Sequence, residues 1–477
     1  MRRSRLTACV LGAVGVAAWA ATYHLALGDS DRHFLTALYL FDAVLIVFYI
    51  ASLEANTQWS RRQPATGRVV AIVPAFEEEP QLLRAALDAL LRQTYPVDEI
   101  HVMDDGSADN PVRPFQHPKI RWHRQPNGGK RYAQAGVLQK LRREDWDFIL
   151  TVDSDSVPGD DALEHLMRAM SKRRVMAATG LILTRNFRDN WITRVSDINI
   201  GTSCLMIRSS RSVIGAVETT SGALALYRAG LVFDNLPNYV SSGTNGDDRR
   251  LTMYALLRGD VVVVNAAVVH SAMPDTLGGL YGQRLRWGKS SWQALPFAVI
   301  NLEWKKLAFP LLAVTQWIML PVLLTMTVSG AFFRTQPHYV AVAFCSYLAI
   351  RYAETAQYMI RRPYMHWTAK LVMWLWATPV ELIVKVAVIY PAKYAAVLKL
   401  RDRGWVTRGN AHAGRETKPA AADNVPVARA ADRDHDTLQL PRVPVAKLLD
   451  PETETTLTLP IPRQREAWSP LPEGTSR

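Results

Sequence analysis

The stretch Phe148-Ile149-Leu150-Thr151-Val152-Asp153-Ser154-Asp155 decides the fold of the central part of the chain. Its apolar and β-branched residues predict a short buried strand, and two carboxylates one residue apart follow at its end. An earlier apolar run, Ile100–Met103, also ends in acids, at Asp104-Asp105-Gly106. Ligands of parallel sheets bind at the carboxyl ends of the strands. Both acidic turns are therefore expected at one binding edge.

Helical segments alternate with these strands. Val69–Pro74 is predicted as a strand, and Pro80–Arg92 as a helix whose leucines and alanines share one face. This alternation predicts an α/β domain at residues 67–273, with a mostly parallel sheet flanked by helices.

Apolar segments precede this domain. Leu6–Leu27 and Phe34–Leu53 are each long enough to cross a bilayer, and they predict a transmembrane hairpin at residues 1–60. The arginines at positions 2, 3 and 5 indicate a cytoplasmic N-terminus. A cleaved signal peptide is the competing interpretation of the first segment. The second apolar segment, which follows at once, favours the hairpin.

Further apolar segments follow the domain, beyond interfacial helices predicted at residues 274–306. Leu307–Ser329 and Tyr339–Tyr358 are predicted to span the membrane, within a region of residues 307–400. Leu371–Leu398 is apolar but carries Pro379, Glu381 and Lys385, so one span, a short hairpin and a re-entrant element all stay open. Residues 411–477 lack apolar periodicity and are predicted to be disordered.

Charge and cysteine content narrow the function classes. The net charge is +13, which suits nucleic acid or the cytoplasmic loops of a membrane protein. Since the chain has no zinc knuckle or helix-turn-helix signature, the membrane interpretation is favoured. The three cysteines are far apart, which excludes a disulfide framework and indicates a reducing cytoplasm around the central domain.

The Asp153-Ser154-Asp155 turn is the strongest candidate site. Two carboxylates so close together can both reach Mg²⁺ or Mn²⁺, and such an ion bridges to diphosphate oxygens. Transfer from a nucleotide-sugar needs that help because its leaving group is a diphosphate. A solvated acidic turn is the alternative.

Two other motifs complete the predicted donor site. Asp104 and Asp105 can accept hydrogen bonds from a uracil ring or a ribose hydroxyl. In Gly128-Gly129-Lys130-Arg131, the glycines permit close approach of the backbone and the cations can meet phosphates. A turn with solvated charge is the alternative for this second motif.

Acceptor chemistry is predicted at two further motifs. In Gly246-Asp247-Asp248-Arg249, Asp248 is predicted as the general base and Asp247 as a helix cap. In the run Gln283–Trp287, Arg286 is assigned to the departing diphosphate, and Trp287 to stacking on the acceptor sugar. An interfacial membrane anchor is the alternative for this run.

In this order, the motifs resemble those of the processive family-two glycosyltransferases with the GT-A fold, a group that includes hyaluronan, chitin and cellulose synthases. The resemblance covers about Arg68 to Arg408. It is closest to hyaluronan synthases, through Leu251-Thr252, Arg286–Ser290 and Trp405-Val406-Thr407-Arg408. The chain departs from the family pattern at Glu77, at Thr219-Thr220, at Ala223 and at Val406.

The resemblance implies a GT-A domain in the cytoplasm, attached to α-helical spans of the plasma membrane. It implies inverting transfer from UDP-N-acetylglucosamine, and for hyaluronan also UDP-glucuronate, to a growing β-linked glycan that is exported past membrane lipid. Residues 401–410 are then a cytoplasmic motif that contacts the transferase domain. The implied residues are Asp247, Asp248, Gln283, Arg286 and Trp287 for catalysis; Ala75, Glu77, Asp104, Asp105, Lys130, Arg131 and Asp153 for the nucleotide-sugar; Asp153 and Asp155 for the metal; Ser221, Gly222 and Trp287 for the acceptor; and Trp405, Thr407 and Arg408 for gating.

Alternatives remain at this stage. A chitin-like or poly-N-acetylglucosamine synthase would use one donor, and a non-processive enzyme would add one sugar to a lipid carrier. A transporter whose soluble domain merely binds nucleotide is the alternative outside enzymes. His270 is interpreted as a strand-end histidine rather than an extra metal ligand. The oligomeric state is open.

Overall fold

The computed structural model describes residues 44, 47–242, 244–314, 317–318 and 338–400, with side chains of the last segment from residue 348 onward. Several predicted features therefore lie outside the described residues. These are the span Leu6–Leu27, most of Phe34–Leu53, the second half of Leu307–Ser329, the gating motif Trp405–Arg408 and the tail at 411–477.

One eight-stranded sheet forms the centre of the described chain. Its strands are β1 (Val69–Ala75), β2 (Glu99–Asp104), β3 (Ile120–Arg124), β4 (Phe148–Thr151), β5 (Val157–Pro158), β6 (Val175–Thr184), β7 (Ala225–Arg228) and β8 (Asp260–Ser271). The order across the sheet is β3-β2-β1-β4-β7-β6-β8-β5.

The sheet is mixed rather than mostly parallel. Strands β3, β2, β1 and β4 run parallel, as the sequence predicts. Strand β7 lies between β4 and β6 and is antiparallel to both, while β6 and β8 are parallel. The predicted strands around Val69, Ile100 and Phe148 are thus confirmed, and the correction concerns the second half of the sheet.

Helices cover both faces of the sheet and continue beyond it. They are α1 (47–56), α2 (Pro80–Leu91), α3 (Lys130–Leu138), α4 (Ala162–Met170), α5 (Trp191–Thr202), α6 (Arg208–Val213), α7 (Ala229–Asp234), α8 (Leu236–Ser241), α9 (Asp247–Arg258), α10 (Leu277–Asn301), α11 (304–314), α12 (His338–Arg361), α13 (Trp367–Val384) and α14 (Tyr390–Leu398). A π-helical turn, Ser203–Ile207, joins α5 to α6, and another, Lys385–Ile389, joins α13 to α14.

Alternation along β1 explains why helices pack on both faces. All seven residues of β1 are buried. Val69, Ala71 and Val73 belong to the hydrophobic cluster that also contains apolar residues of α2 and α4. Val70 and Ile72 belong to the cluster that contains apolar residues of α3 and α9. Because side chains of a strand alternate between faces, one apolar strand supports both layers.

The segment Leu371–Leu398 lies in one continuous helix, Trp367–Leu398, so the hairpin alternative is wrong. This helix has 32 residues and a mean hydropathy of 1.8, and it is the only one among the described residues long and apolar enough to cross a membrane. Its Glu381 does not interrupt it, because the carboxylate accepts hydrogen bonds from Asn199 and Arg351. Exposed apolar residues, Leu371, Val372, Leu375 and Ile383 among them, lie along it.

A buried ion pair connects helix α5 to the segment that follows α12. Asp197 and Arg362 are almost fully buried, and the Arg362 Nε lies 2.7 Å from an Asp197 carboxylate oxygen. The other oxygen accepts the backbone N–H of Thr184 at the end of β6. Next to this pair, Gly201 of α5 packs so closely on the Tyr358 ring that a Cβ would overlap it. The sheet and the C-terminal helices are thereby one packed body.

We expect Asp197→Ala to lower the free energy of unfolding by about 3–5 kcal/mol, because it leaves the buried Arg362 without its counter-charge. The matched control is Asp88→Ala, which removes a carboxylate from an exposed ion pair with Arg84 and costs about 1 kcal/mol or less. Denaturant unfolding of the purified protein in detergent measures both. Equal, small losses for the two variants would contradict the connecting role of the buried pair.

Candidate active site

One cavity of about 630 Å³ begins at the carboxyl ends of β1, β2 and β4 and extends to helices α11, α12 and α14. Asp105 and Asp153 line it at the strand ends, and Phe309 and Lys393 line it among the helices. The cavity brings together most of the residues predicted from sequence. Those lining it are Ala75, Asp105, Lys130, Asp153, Asp155, Ser221, Gly222, Asp247, Asp248, Gln283, Arg286 and Trp287.

Three predicted residues do not line the cavity. Asp104 is buried beside Arg124, whose Nη1 lies 3.3 Å from its carboxylate. Glu77 and Arg131 make contacts with the protein that are described below. The predicted gating residues lie outside the described part of the chain.

The Asp153–Asp155 turn follows β4 and projects into the cavity. Ser154, between the two acids, donates a hydrogen bond of 2.8 Å to Glu78, which also lines the cavity. Asp155 is buried and accepts a hydrogen bond from the hydroxyl of Ser156. Hydrogen bonds to Ser154 and to Asp155 therefore fix the conformation of this turn.

Gly222 leaves room beside this turn. A Cβ at this position would lie 2.6 Å from the Lys130 Nζ and 3.0 Å from an Asp153 oxygen. Among the described residues, no group of three or more His, Cys, Asp or Glu side chains could hold a metal. Asp153 and Asp155, one residue apart and both lining the cavity, would fit a divalent cation whose other ligands are phosphate oxygens and water.

Lys130 provides the positive charge at this position. Its ammonium group donates to Asp153 Oδ1. Burial alone would lower the pKa of Lys130, but the charges of Asp153, Asp247 and Asp248 reverse this effect and raise the pKa. Lys130 is therefore a permanent cation between the two acidic motifs.

Asp105 is engaged by the glycine turn that begins α3. Its carboxylate accepts the N–H groups of Gly128 and Gly129, at 3.0 and 2.7 Å, and the side-chain amide of Gln125. Burial raises the pKa of Asp105 despite these three donors. Gly129 adopts φ +92°, which L side chains rarely adopt. The carboxylate therefore fixes the turn that presents Lys130.

Arg131 binds the second acidic motif, Gly246–Arg249, through Asp247. Its Nε donates to Asp247 over 3.1 Å, and its other nitrogens donate to Ser242 and to the carbonyl of Thr244. Both members of the Arg131–Asp247 pair are buried. Burial raises the pKa of Asp247, although Arg131 and Lys130 oppose this. Arg131 thus contacts Asp247, while its predicted contact with phosphate stays a prediction.

Glu77 organises the loop after β2. Its carboxylate accepts the backbone N–H groups of Ala108, Asp109 and Asn110, at 2.5, 3.1 and 2.5 Å. Burial would raise its pKa, but these donors outweigh burial and the pKa is lowered. Glu77 also has φ +47°, which is uncommon for a residue with a side chain. The residue that departs from the family pattern therefore shapes the border of the predicted nucleoside site.

Asp248 lies in the first turn of α9 and faces the cavity. Its backbone carbonyl accepts the Thr252 hydroxyl at 2.6 Å, and Thr252 also bonds the Thr220 hydroxyl at 2.8 Å. These contacts tie the loop before α9 to the segment before Ser221 and Gly222. The Asp248 side chain, which lines the cavity, can accept a proton from a hydroxyl there.

Helix α10 carries the last predicted motif. Gln283, Arg286 and Trp287 are three and four residues apart, so they share one face of the helix, and all three line the cavity. The Trp287 ring lies over the guanidinium of Arg284, at 4.3 Å from the ring centroid. Gly288 allows α14 to pack closely, since a Cβ there would lie 2.9 Å from the Cβ of Ala396. The helix that carries the motif therefore packs against α14 on one side and contacts α9 as well.

His270 lies opposite Val157, in the short pairing of β8 with β5. Its ring faces that of Tyr364, at a centroid distance of 6.4 Å. Burial lowers its pKa, and the charges of Arg362 and Asp197 also act on it. His270 does not line the cavity, which agrees with its interpretation as a strand-end histidine.

Sequence reasoning did not assign several residues that line the cavity. They are Glu78, Arg208, Arg211, Glu218, Arg249, Lys385 and Lys393. The spacing of Arg208 and Arg211, three residues apart, places both on one helix face. That spacing was the only sign in the sequence of a shared site for these two arginines, and it is equally typical of a basic helix face exposed to solvent.

Comparisons with known proteins agree with this geometry. Residues 65–290 match the family described as "Glycosyltransferase like family 2". A hyaluronan synthase of Streptococcus pyogenes serotype M1 is 27% identical over 396 residues, covering 77% of this chain and 90% of that protein. An N-acetylglucosaminyltransferase of Sinorhizobium fredii (strain NBRC 101917 / NGR234) is 31% identical over 264 residues, covering 51% of this chain and 63% of that protein.

A solved structure shows the same fold. It is the mannosyltransferase PcManGT from Pyrobaculum calidifontis in complex with GDP-Man and Mn²⁺, with a TM-score of 0.50 and 18% identity, covering 76% of this chain and 96% of that one. The GT-A-like α/β fold expected from the sequence is thus confirmed. Residues 65–290 thus form a glycosyltransferase family 2 domain, and the chain is a glycosyltransferase.

We expect Asp248→Asn to reduce turnover by about 10²–10⁴-fold, the usual contribution of a general base, with donor affinity nearly unchanged. Asp247→Asn is the matched comparison, because Asp247 is buried against Arg131 and its loss should lower stability as well as activity. Sugar transfer, UDP binding and thermal unfolding are measured for each variant. Loss of UDP binding in Asp248→Asn would assign this carboxylate to the donor site instead.

Proposed function

We propose that this family 2 glycosyltransferase is a processive synthase that extends a β-linked polysaccharide from UDP-sugars and passes the product along its C-terminal helices. The observation that carries the proposal is the continuity of the cavity. Asp153, Asp248 and Trp287 line the same cavity as Phe309 and Lys393 of the C-terminal helices. A transferase that adds one sugar to a small acceptor does not need a cavity that continues in this direction.

The donor belongs at the strand-end part of the cavity. Asp153 and Asp155 would hold Mg²⁺ or Mn²⁺, which supplies charge neutralisation for the leaving diphosphate. Lys130 and Arg286 add positive charge to the same region, and Ala75 and Asp105, which line the cavity there, border the nucleoside.

The acceptor belongs beyond Asp248, next to Ser221, Gly222 and Trp287. The acceptor hydroxyl attacks the anomeric carbon as the bond to the diphosphate breaks, and its proton passes to Asp248. Attack opposite the leaving group inverts the anomeric centre, which gives a β-linkage from an α-linked donor. Gln283 orients the groups around Trp287.

A membrane location is proposed for helices α11–α14. The continuous helix Trp367–Leu398 exposes apolar side chains such as Val372 and Ile383, which suits contact with lipid. The catalytic domain would then lie on the cytoplasmic side. The hyaluronan synthase relatives from S. pyogenes match over 77% of this chain, more than the central domain alone.

Gating by Trp405, Thr407 and Arg408 is supported by a contact just before them. Gln293 of α10 accepts the N–H of Asn245 at 2.7 Å and donates to the carbonyl of Leu400 at 3.1 Å. Leu400, the last described residue before the proposed gating motif, therefore lies close to the Gly246–Arg249 motif.

Two candidates for the product follow from the relatives. A hyaluronan-like polymer needs UDP-N-acetylglucosamine and UDP-glucuronate. The N-acetylglucosaminyltransferase relatives, 31% and 32% identical to this chain, favour a neutral polymer made from the first donor alone. The basic residues in the cavity, among them Arg208 and Arg249, favour the acidic polymer.

We expect purified protein with Mg²⁺ or Mn²⁺ to make long polymer only when both UDP-sugars are present, and only short or no product from either one. Radiolabelled donors, given separately and mixed, followed by sizing of the product, measure this. Long polymer from UDP-N-acetylglucosamine alone would establish the neutral alternative. No transfer from any UDP-sugar would contradict the proposal.

We expect Trp287→Ala to stop elongation while hydrolysis of UDP-sugar continues, because the ring stacks on the acceptor and the donor residues are unchanged. Trp287→Phe should keep partial activity. The control is Trp304→Ala: Trp304 is 71% exposed, against 38% for Trp287, and is placed as a membrane anchor would be. The length of the polymer is measured by gel sizing. Polymer of normal length from Trp287→Ala would show that Trp287 is only a membrane anchor and does not bind the acceptor.

A further inference from the structure

A basic cluster lies in the cavity wall between the proposed base and the C-terminal helices. Arg208 and Arg211 come from α6, and Arg249 directly follows Asp248. All three line the cavity. The π-helical turn Ser203–Ile207 immediately precedes Arg208, and such turns frequently occur at functional sites. We name these three arginines the arginine cluster.

The arginine cluster has fewer negative partners than its charge requires. Arg211 pairs with Glu218, at 3.1 Å. The guanidinium groups of Arg208 and Arg249 have no hydrogen-bonded or ionic partner among the residues that the structure describes, and a buried nitrogen of each, Nη1 and Nε, is without an acceptor. Burial lowers the pKa of Arg249; Glu218 and Asp248 oppose this, and the charges of Arg211 and Arg208 add to the lowering.

Such an arrangement costs free energy in the absence of a counter-charge, because half-buried guanidinium groups with buried, unpaired nitrogens lose part of their hydration. An anion in the cavity would supply that charge. A planar guanidinium matches a carboxylate or a phosphate through parallel hydrogen bonds. The cluster is therefore built to receive an anionic group.

The position of the cluster indicates which anion this is. The donor diphosphate belongs near Lys130 and Asp153, whereas Arg211 lies over the ring of Phe309, 5.7 Å from its centroid, in the first helix of the C-terminal region. Lys393 of α14 is close enough to Arg211 and Arg249 for their charges to interact. The arginine cluster thus lines the part of the cavity through which an elongating chain must leave.

We propose that the arginine cluster binds the carboxylate of a uronic acid residue in the acceptor chain, just beyond its reacting end. The proposal rests on the proposed function, since it names the acceptor of the same site. It assigns Arg208 and Arg249 as direct ligands, with Glu218 as the acid that competes with the sugar for Arg211.

The test measures binding without turnover. The probes are a tetrasaccharide of alternating glucuronate and N-acetylglucosamine and its carboxyl-reduced form, which has the same shape without charge. The full-length protein in detergent with UDP and Mg²⁺ should bind the acidic probe more tightly than the reduced one. Arg208→Gln should reduce this preference by about 10- to 100-fold, the worth of a charge-assisted hydrogen-bonded pair.

A second variant moves the preference in the opposite direction. Glu218→Gln removes the competing acid and should increase the preference for the acidic probe, which a damaged fold cannot do. Arg174→Gln is the matched control, because Arg174 is 82% exposed and pairs only loosely with Asp260, at 3.6 Å. It should leave the preference unchanged.

Three results would overturn the proposal. The first is equal binding of both probes by the unaltered protein, and the second is an unchanged preference in both Arg208→Gln and Glu218→Gln. The third is an Arg208→Gln variant that keeps the preference for the acidic probe but binds phosphatidylglycerol vesicles less tightly. The last result would assign the cluster to lipid phosphate. Failure of the proposed function would look different: the unaltered protein would release no UDP from either donor, whatever the binding preference.

Discussion

Four consecutive residues, Gly128 to Arg131, donate hydrogen bonds to one carboxylate from each of three acidic motifs. The glycine N–H groups bind Asp105, the Lys130 ammonium group binds Asp153, and the Arg131 guanidinium binds Asp247. These carboxylates are far apart in sequence and mostly buried, so each needs a partner to offset the loss of hydration. The turn before α3 therefore fixes the spacing of the donor and base motifs, and the rest of the site is arranged around it.

Charge balance changes along the cavity from this point. At the strand ends acids outnumber cations, since Glu78, Asp105, Asp153 and Asp155 line the cavity there together with Lys130. Beyond Asp248 the balance shifts to an excess of arginine, with Arg208 and Arg249 unpaired among the described residues. An acidic donor end and a basic acceptor end would suit an enzyme whose substrate brings its own metal ion and whose product carries negative charge.

Much of the fold was accessible from sequence because apolar periodicity marks β1, α2, β2 and β4. Strand β7, Ala225–Arg228, was not, because four residues without alternation carry no such signal. The motifs also indicated which residues would be neighbours, but not which way each side chain points. Glu77 and Arg131 illustrate this: both lie in recognised motifs, yet they bind the protein's own backbone and Asp247. Glu381, which suggested a broken apolar segment, is instead accommodated by Arg351 and Asn199.

The central claim is that one cavity leads the growing chain from the base to the C-terminal helices, and crosslinking of nascent product tests it most directly. A photoreactive p-benzoylphenylalanine replaces Phe309, which lines the cavity, or Leu398, which is 89% exposed outside it. After synthesis from radiolabelled donors, illumination should attach polysaccharide at position 309 and not at position 398. Equal labelling at the two positions, or none at 309 while polymer is made, would contradict the account.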